Sequence, residues 1–173
     1  TVLPLAGAHS VFVDGAGRQN DWLIDCGNTN SVEFVMKPYL RGQGVNHLSR
    51  LLLTHGDLKH VGGAAVLAGL FGVDEILTSP LRFRSVAYRR ILADLSEGQK
   101  RWRVVQRGDE VGAWRVWHPN PEDKFPQADD NSIVLLGTFH ATQVLLLSDL
   151  GRPGQEALMK RAGGLRAEIV VAG

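Results

Sequence analysis

The chain has 173 residues, of which 44% are hydrophobic and 21% are charged, and its formal net charge is +1. This length is typical of one globular domain, and the composition excludes an intrinsically disordered chain. The near-neutral charge excludes a histone-like nucleic-acid binder, although it is compatible with a local basic patch. The single cysteine, Cys26, excludes an internal disulfide bond and a zinc site built from several cysteines.

The apolar and turn residues predict alternating strands and helices. In chain order we expect strands at 11–13 and 22–25, a helix from 32 to 42 or 44, a strand at 51–53, a helix at 60–70, a strand at 74–78 and an amphipathic helix at 84–95. Strands at 104–105, 111 and 114–117, a polar loop at 119–128, a hairpin of 133–136 with 142–147, a helix at 155–161 and a strand at 167–171 follow. This order predicts an α/β fold with helices outside the sheet.

No linker divides the chain, so we predict one domain over residues 1–173. The longest uncharged stretch, 61–73, has 13 residues, which is too short for a membrane span of about 20 residues. The chain starts at Thr1 and its last strand leads directly into Gly173. We therefore expect a domain excised from, or trimmed relative to, a longer protein.

One short segment combines metal-binding side chains with tight turns. A hydrophobic strand runs directly into Thr-His-Gly-Asp-Leu-Lys-His-Val-Gly-Gly, in which His55, Asp57 and His60 can curl around one point. Imidazole and carboxylate groups together suit zinc or manganese. A polar loop with two surface histidines remains the alternative interpretation of this spacing.

This segment resembles the metal-binding motif of the metallo-β-lactamase superfamily, and more closely that of the soluble domain of ComEC-type DNA-uptake proteins. Three further segments resemble the family in the same order, namely Leu-Ile-Asp-Cys-Gly ending at residue 27, Asp-Asn-Ser-Ile-Val-Leu from residue 130 and Leu-Ser-Asp-Leu from residue 147. The resemblance implies a metallo-β-lactamase-like αββα sandwich, with two mixed sheets covered by helices.

The resemblance also implies a site. It assigns metal ligation to His55, Asp57, His60 and Asp149, and a supporting role behind the ligands to Asp25 and Asn131. In the family, the last strand leads to a further histidine, which would follow Gly173. The implied cofactor is zinc or manganese, at most one ion or none.

Lys59 departs from the family pattern because it stands where the family has an aspartate ligand. An ammonium group has no lone pair and repels a cation. Lys59 is therefore interpreted as a cation that neutralises Asp57 and Asp149, as a solvent-facing residue of a decayed site or, if it is buried, as a base. Asp57 and Lys59 are the residues to which we assign any catalytic role. His9 replaces an acid in the N-terminal turn of the family, and either adds a ligand or lies at the surface.

A second candidate surface is basic. Residues 82–107 contain eight lysines and arginines but only two acids, with aromatic residues interleaved. A single-stranded nucleic acid would pair its phosphates with such arginines and stack its bases on the aromatic rings. The predicted contacts are Arg84, Arg89, Arg90, Arg101, Trp102 and Arg103. The alternative is a solvated helix face with core aromatic residues.

Two functions therefore remain open. The first is a metal-dependent hydrolase, or nuclease, of DNA phosphodiesters with an altered metal site, although Lys59 argues for reduced or lost activity. The second is a non-catalytic, metal-poor relative that binds or guides single-stranded DNA or has a structural role. The resemblance further implies a membrane-embedded remainder of the parent chain and a location outside the bacterial cytoplasmic membrane. Cys26 is predicted to be a small buried residue, while His118 and His140 are predicted to be structural or exposed.

Overall fold

The computed structural model describes residues 1–15, 17, 20–80, 85–96 and 101–173. These residues form two compact units. The first unit comprises residues 1–78 and 82–103, and the second comprises residues 79–81 and 104–173. Each unit contains its own β-sheet. Among the described residues, no helix is long and apolar enough to cross a bilayer.

The first unit is built on a six-stranded mixed sheet with the strands in chain order. Its strands are β1 (Val2–Leu5), β2 (Ala8–Val13), β3 (Trp22–Ile24), β4 (Leu48–Leu53), β5 (Val73–Thr78) and β6 (Arg101–Val104). The first three strands pair antiparallel, whereas β3, β4 and β5 pair parallel. Parallel strands place their carboxyl ends at one edge of the sheet, and such edges commonly hold the functional site of an α/β fold.

Helices cover this sheet through a core of aliphatic residues. They are α1 (Thr29–Ser31), a π-helical turn (Val32–Met36), α2 (Lys37–Gly42), α3 (Leu58–Val61), α4 (Ala64–Phe71) and α5 (Val86–Ser96). Val32, Met36 and Leu40 recur every four residues and are fully buried. Phe34 belongs to the same predicted apolar helix pattern, but it is 78% exposed because it points away from that row.

The second unit holds a five-stranded sheet in the order β11-β10-β9-β8-β7. Its elements are β7 (Glu110–Val111), β8 (Trp114–His118), a 3-10 turn (Asp129–Asn131), β9 (Val134–Phe139), β10 (Thr142–Ser148), α6 (Arg152–Arg161) and β11 (Ile169–Ala172). Strands β9 and β10 form the predicted hairpin, and β11 adds parallel to β10. Residues 119–128 form the predicted polar loop between β8 and the 3-10 turn.

A buried network joins that loop to strand β8 and helix α6. The guanidinium group of Arg161 donates two hydrogen bonds to the Asp123 carboxylate, at 2.7 and 2.6 Å. The Asp123 carboxylate lies 3.6 Å from Nδ1 of the buried His118, whose Nε2–H donates to the carbonyl of Asp130 at 2.8 Å. His118 is therefore structural, as predicted, whereas His140 is exposed.

Acidification is expected to destabilise the second unit through His118. Burial, which outweighs the hydrogen bond to Asp130, holds the pKa of His118 below its usual 6.5, so the folded state keeps this ring neutral. The unfolded chain binds a proton near pH 6.5, and stability present above that pH is lost as the pH falls towards the folded pKa. Urea unfolding from pH 7.5 to pH 5 should show the free energy of unfolding fall more steeply in the wild type than in His118→Gln.

The variant His140→Asn serves as the control because His140 is exposed and its backbone lies at φ 48°, which asparagine tolerates. We expect its stability to follow the wild-type pH dependence. Parallel pH profiles for the wild type and His118→Gln would contradict this linkage.

Candidate metal centre

The carboxylate of Asp25 lies at the carboxyl end of β3, where a tight turn directs it towards β4. Its backbone is left-handed at φ 55°, a conformation that aspartate adopts more readily than most residues. The backbone N–H of Asp25 donates to Leu52 at 2.8 Å, and its carbonyl accepts from the hydroxyl of Ser10 at 2.7 Å. These bonds fix Asp25, which is 1% exposed, between β2 and β4.

Thr54 connects Asp25 to the first predicted metal ligand. One Asp25 oxygen accepts from the Thr54 backbone N–H at 2.8 Å, and the other accepts from the Thr54 hydroxyl at 2.6 Å. Because that hydroxyl has given its only proton to Asp25, it accepts from Nδ1–H of His55, 2.9 Å away. This tautomer leaves the lone pair of His55 on Nε2, the atom that a neutral imidazole offers to a metal.

His60 lies beside His55 and is held by the same aspartate. Its Nδ1 is 3.3 Å from an Asp25 oxygen, and the two imidazole rings lie 4.5 Å apart between centroids. The carbonyl of His60 accepts from the backbone N–H groups of Cys26 and Gly27, each at 2.9 Å. Both histidine side chains are fully buried, so their orientations are fixed by packing as well as by hydrogen bonds.

A pair of glycines allows this close approach. Gly62 and Gly63 separate α3 from α4. The single helix predicted over 60–70 is therefore wrong, because these two glycines interrupt it. A Cβ atom on Gly63 would lie 2.4 Å from Val32 and 2.7 Å from the carbonyl of Asn28, so no larger residue fits without backbone movement. The glycine pair therefore brings α3, and His60 with it, against the β3 turn.

The donor set fits a divalent metal. Asp25, His55 and His60 each offer a ligand atom, and these atoms lie within 4.8 Å of one another. A carboxylate oxygen of Asp57 lies within the same distance of a ligand atom of His55. Since both Asp25 oxygens already accept hydrogen bonds from Thr54, Asp25 is suited to orienting the histidines. Among the described residues, His55 belongs both to the group with His60 and to the group with Asp57, whereas no single group contains His60 and Asp57 together. Ligation of one ion by His55, His60 and Asp57 stays a prediction.

Asp57 and Lys59 form an ion pair at the start of α3. Asp57 caps this helix by accepting from the backbone N–H of Lys59 at 3.0 Å, and the Lys59 ammonium lies 3.3 Å from the other carboxylate oxygen. Partial burial favours a higher pKa for Asp57, but the hydrogen bonds and positive charge of Lys59 outweigh it and hold the pKa below the usual range. The Lys59 side chain is 57% exposed. The ion pair is the contact that a cation neutralising Asp57 would make, and the exposure equally fits the solvent-facing alternative. The exposure removes the burial that a lysine base requires.

Two side chains near the site were not among the predicted site residues. Thr54 bridges Asp25 to His55, but in the sequence it is only the residue between a strand and a histidine. His9, on β2, packs edge-on against His60 with ring centroids 6.2 Å apart and is half-buried. The sequence pointed to His9 only through its position in the N-terminal turn of the family pattern. That position was compatible both with an added metal ligand and with a surface histidine.

Two predicted site residues belong to the second unit. Asp149 follows β10 at the end next to the last residue of β11, where the backbone N–H of Gly173 donates to Ser148 at 2.9 Å. Asn131 is buried, and its amide donates to the carbonyls of Phe125 at 3.0 Å and of Gln127. Asn131 therefore holds the end of the polar loop in place.

Two further residues of the first unit have no direct role in ligand chemistry. Cys26 is fully buried, as predicted, and burial raises the pKa of its thiol, which argues against thiol catalysis. Tyr88, on α5, is 1% exposed and belongs to the core. Burial, with a smaller contribution from the charge of Asp25, raises the pKa of its phenol. Tyr88 is therefore a core aromatic and offers no exposed face for base stacking.

The predicted nucleic-acid contacts are divided between a helix and a strand. Arg89 and Arg90 are exposed on α5, Arg101 is exposed on β6, and Arg84 lies outside the described residues. Trp102 is 36% exposed, and its indole N–H donates to the hydroxyl of Thr78 at 3.2 Å. Arg103 lies 3.4 Å from Glu75, which Arg50 also contacts at 3.1 Å, so part of the basic charge is neutralised. Binding of nucleic acid by these residues stays a prediction.

The sequence model of the metallo-β-lactamase superfamily matches residues 5–124, which include β3, β4 and the whole of the His/Asp segment. The chain belongs to the metallo-β-lactamase superfamily. Solved structures share its fold. The Rm3 metallo-β-lactamase aligns over 99% of this chain and 73% of its own, with 14% identity and a TM-score of 0.66. A Cronobacter sakazakii metallo-β-lactamase covers 95% of this chain and 71% of its own, with 16% identity and a TM-score of 0.63. The predicted fold class, a metallo-β-lactamase-like αββα sandwich, is confirmed.

A curated relative extends the comparison to a functional context. ComE operon protein 3 of Bacillus subtilis (strain 168) is 24% identical to 99% of this chain. The chain spans only about a quarter of that protein, since the match covers 24% of its length. The predicted resemblance to ComEC-type proteins is confirmed by this similarity.

Proposed function

We propose that the chain is a metal-dependent hydrolase domain acting on DNA phosphodiesters, with at most one zinc or manganese ion held by His55 and His60. The observation that supports this proposal is the shared orientation of the two histidines by Asp25, directly and through Thr54. Buried histidines with a second ring nitrogen committed to a carboxylate network are typical of metal ligands.

The proposed chemistry divides between the ion and the protein. A bound divalent ion would act as a Lewis acid and lower the pKa of a water molecule. Through Thr54, Asp25 holds the tautomer of His55, and Asp57 supplies a carboxylate at the amino end of α3. Lys59 places an exposed ammonium group next to Asp57, where it can pair with a phosphate oxygen of the substrate. We assign Asp57 to the ion as a further ligand, and Lys59 to substrate binding and charge stabilisation.

The proposed context is DNA uptake. The similarity to a ComE operon protein supports a domain that belongs to a membrane-embedded parent chain and faces outwards from the cytoplasmic membrane. Single-stranded DNA is the proposed partner, with Arg89, Arg90, Arg101 and Trp102 as its contacts in the first unit. Such contacts would weaken steeply as salt is added.

One observation favours a second function. Because Lys59 already neutralises Asp57, the site has lost charge that would attract a cation. The alternative is therefore a metal-poor domain that binds or guides single-stranded DNA, or that has a structural role. The two proposals differ in metal content and agree on the nucleic acid.

Metal stoichiometry tests the first proposal. We expect the purified chain, after dialysis against zinc or manganese, to bind one ion and to cleave a labelled oligonucleotide or bis(p-nitrophenyl) phosphate. His55→Ala and His60→Ala should each lose the ion, since each removes a nitrogen ligand. The exposed His47 pairs with Asp74, so His47→Ala is the matched control and should keep the ion.

Circular dichroism of each variant separates loss of the ligand from loss of the fold. If the folded wild-type chain binds no metal but still binds single-stranded DNA in a salt-sensitive manner, the metal-poor alternative is correct and the hydrolase proposal is wrong. A metal that stays bound in both folded histidine variants would contradict the proposed ligands.

A further inference from the structure

A cavity of about 260 Å³ opens on the second unit, separate from the residues assigned to the metal. It lies where the loop before β7 meets strand β8 and the start of the polar loop. Its lining consists of Arg107, Gly108, Arg115, Val116, Trp117 and Asn120. None of these six residues is acidic.

Two guanidinium groups converge on one indole ring in this cavity. The central carbon of Arg107 lies 6.0 Å from the centroid of Trp117, and that of Arg115 lies 5.9 Å from it. Both distances are within the range of cation–π attraction, which orders long side chains that would otherwise sample many rotamers. The same ring therefore attracts both guanidinium groups.

Backbone contacts fix one of the two arginines. Arg107 donates from its side chain to the carbonyl of Arg161 at 3.0 Å, and its backbone N–H donates to Pro119 at 2.8 Å. Arg115 is exposed on β8. Among the described residues, the ion pairs within 4.0 Å include no carboxylate partner for Arg107 or Arg115. Glu110 lies opposite Arg115 in the register of β7 and β8, but it does not line the cavity.

The indole of Trp117 carries a buried donor of its own. Nε1 of Trp117 is buried and has no hydrogen-bond acceptor among the described residues. A buried donor without an acceptor costs free energy, and native structures usually pair such groups with a ligand or ordered water. An oxyanion in the cavity would bring acceptor oxygens to both guanidinium groups.

We propose that this cavity is a binding site for a phosphate group. Guanidinium groups bind phosphate through paired hydrogen bonds, and two of them match the charge and the several oxygens of this anion. The phosphate comes either from a free phosphate or nucleotide, or from the backbone of a nucleic-acid strand. This proposal does not depend on the metal centre, because every residue in it belongs to the second unit.

Titration of the 173-residue chain with three probes tests the site: inorganic phosphate, thymidine 5′-monophosphate and a ten-residue oligothymidylate. A chelator in every sample removes any contribution from a bound metal. Saturable quenching of tryptophan fluorescence reports binding, and Trp117→Phe should abolish that signal. Saturation by phosphate or monophosphate alone assigns the site to a terminal phosphate, whereas saturation by the oligonucleotide assigns it to a phosphodiester strand.

Arg115→Gln should weaken the affinity for the binding probe about tenfold, the loss expected for one charge-assisted hydrogen bond. Arg166→Gln is the matched control, because Arg166 is an exposed arginine of the same unit that does not line the cavity. Arg107 is left unchanged, since its bond to Arg161 supports the fold. Equal affinities in the two variants, or no saturation by any probe, would overturn the proposal.

Discussion

Asp25→Ala is expected to lower the affinity of the chain for zinc by about 10- to 100-fold, the range typical for loss of a carboxylate that orients ligating histidines. Asp25 touches no metal in this interpretation, because its oxygens accept from the backbone and hydroxyl of Thr54. Without them, the Thr54 hydroxyl can turn and donate to Nδ1 of His55. The ring would then favour the tautomer whose Nε2 carries a proton and cannot bind a metal.

The same substitution should lower the free energy of unfolding by about 3 kcal/mol, because it leaves several buried donors without an acceptor. Asp21→Ala is the matched control. Asp21 is also a buried aspartate, but it lies at the opposite end of β3 and accepts from the backbone N–H of Gly15 at 3.0 Å. The substitution Asp21→Ala should lower the free energy of unfolding and leave the affinity for zinc unchanged.

Competition with a chromophoric zinc chelator measures the affinity, and urea unfolding of the metal-free chain measures the stability. Asp25→Asn separates the two roles further, since an amide keeps the side-chain shape but can accept only one of the two Thr54 bonds. If Asp25→Ala and Asp21→Ala bind zinc equally well, Asp25 only supports the fold.

The sequence predicted the positions of the site residues better than their contacts. Asp25 and His55 could be placed because each comes shortly after a strand whose apolar pattern is clear, whereas His60 lies inside α3, a one-turn helix that the sequence did not separate from α4. Parallel pairing of β3 with β4 then brings Asp25 next to the start of the metal segment. The role of Thr54 could not be predicted, because it depends on the hydrogen bonds that the Thr54 hydroxyl makes with Asp25, which follows β3, and with His55, which follows β4.

The sequence also did not predict the edge strand β1 or the elements that carry the basic residues. Strand β1 was not predicted because it is an edge strand with Pro4 in its middle and only Leu3 buried, so no alternation is visible. The basic segment read as one face, but Arg89 lies on α5 whereas Arg101 lies on β6. Charge composition alone does not say which element carries each arginine.

Lys59 decides between the proposed enzyme and the metal-poor alternative. We expect Lys59→Asp to raise the affinity of the chain for zinc about 100-fold. The substitution removes one positive charge next to Asp57 and adds a negative one. Each unit of charge about 6 Å from a divalent ion, at a water-like dielectric constant of about 80 that suits this exposed position, is worth about 1.4 kcal/mol, which is a factor of ten. Lys59→Gln removes only the ammonium group and should give about half of this free-energy gain.

Lys124→Asp changes an exposed lysine of the second unit by the same two charges and controls for the net charge of the chain. Zinc affinities measured at 50 and 500 mM salt separate a local effect, which persists, from a diffuse one, which is screened. The stability of Lys59→Asp should change by less than about 1 kcal/mol, since an exposed ion pair contributes little. If zinc affinity is the same in Lys59→Asp and Lys124→Asp, the ion does not bind near Asp57. In that case Lys59 does not itself prevent metal binding, and its presence follows from the loss of the metal site.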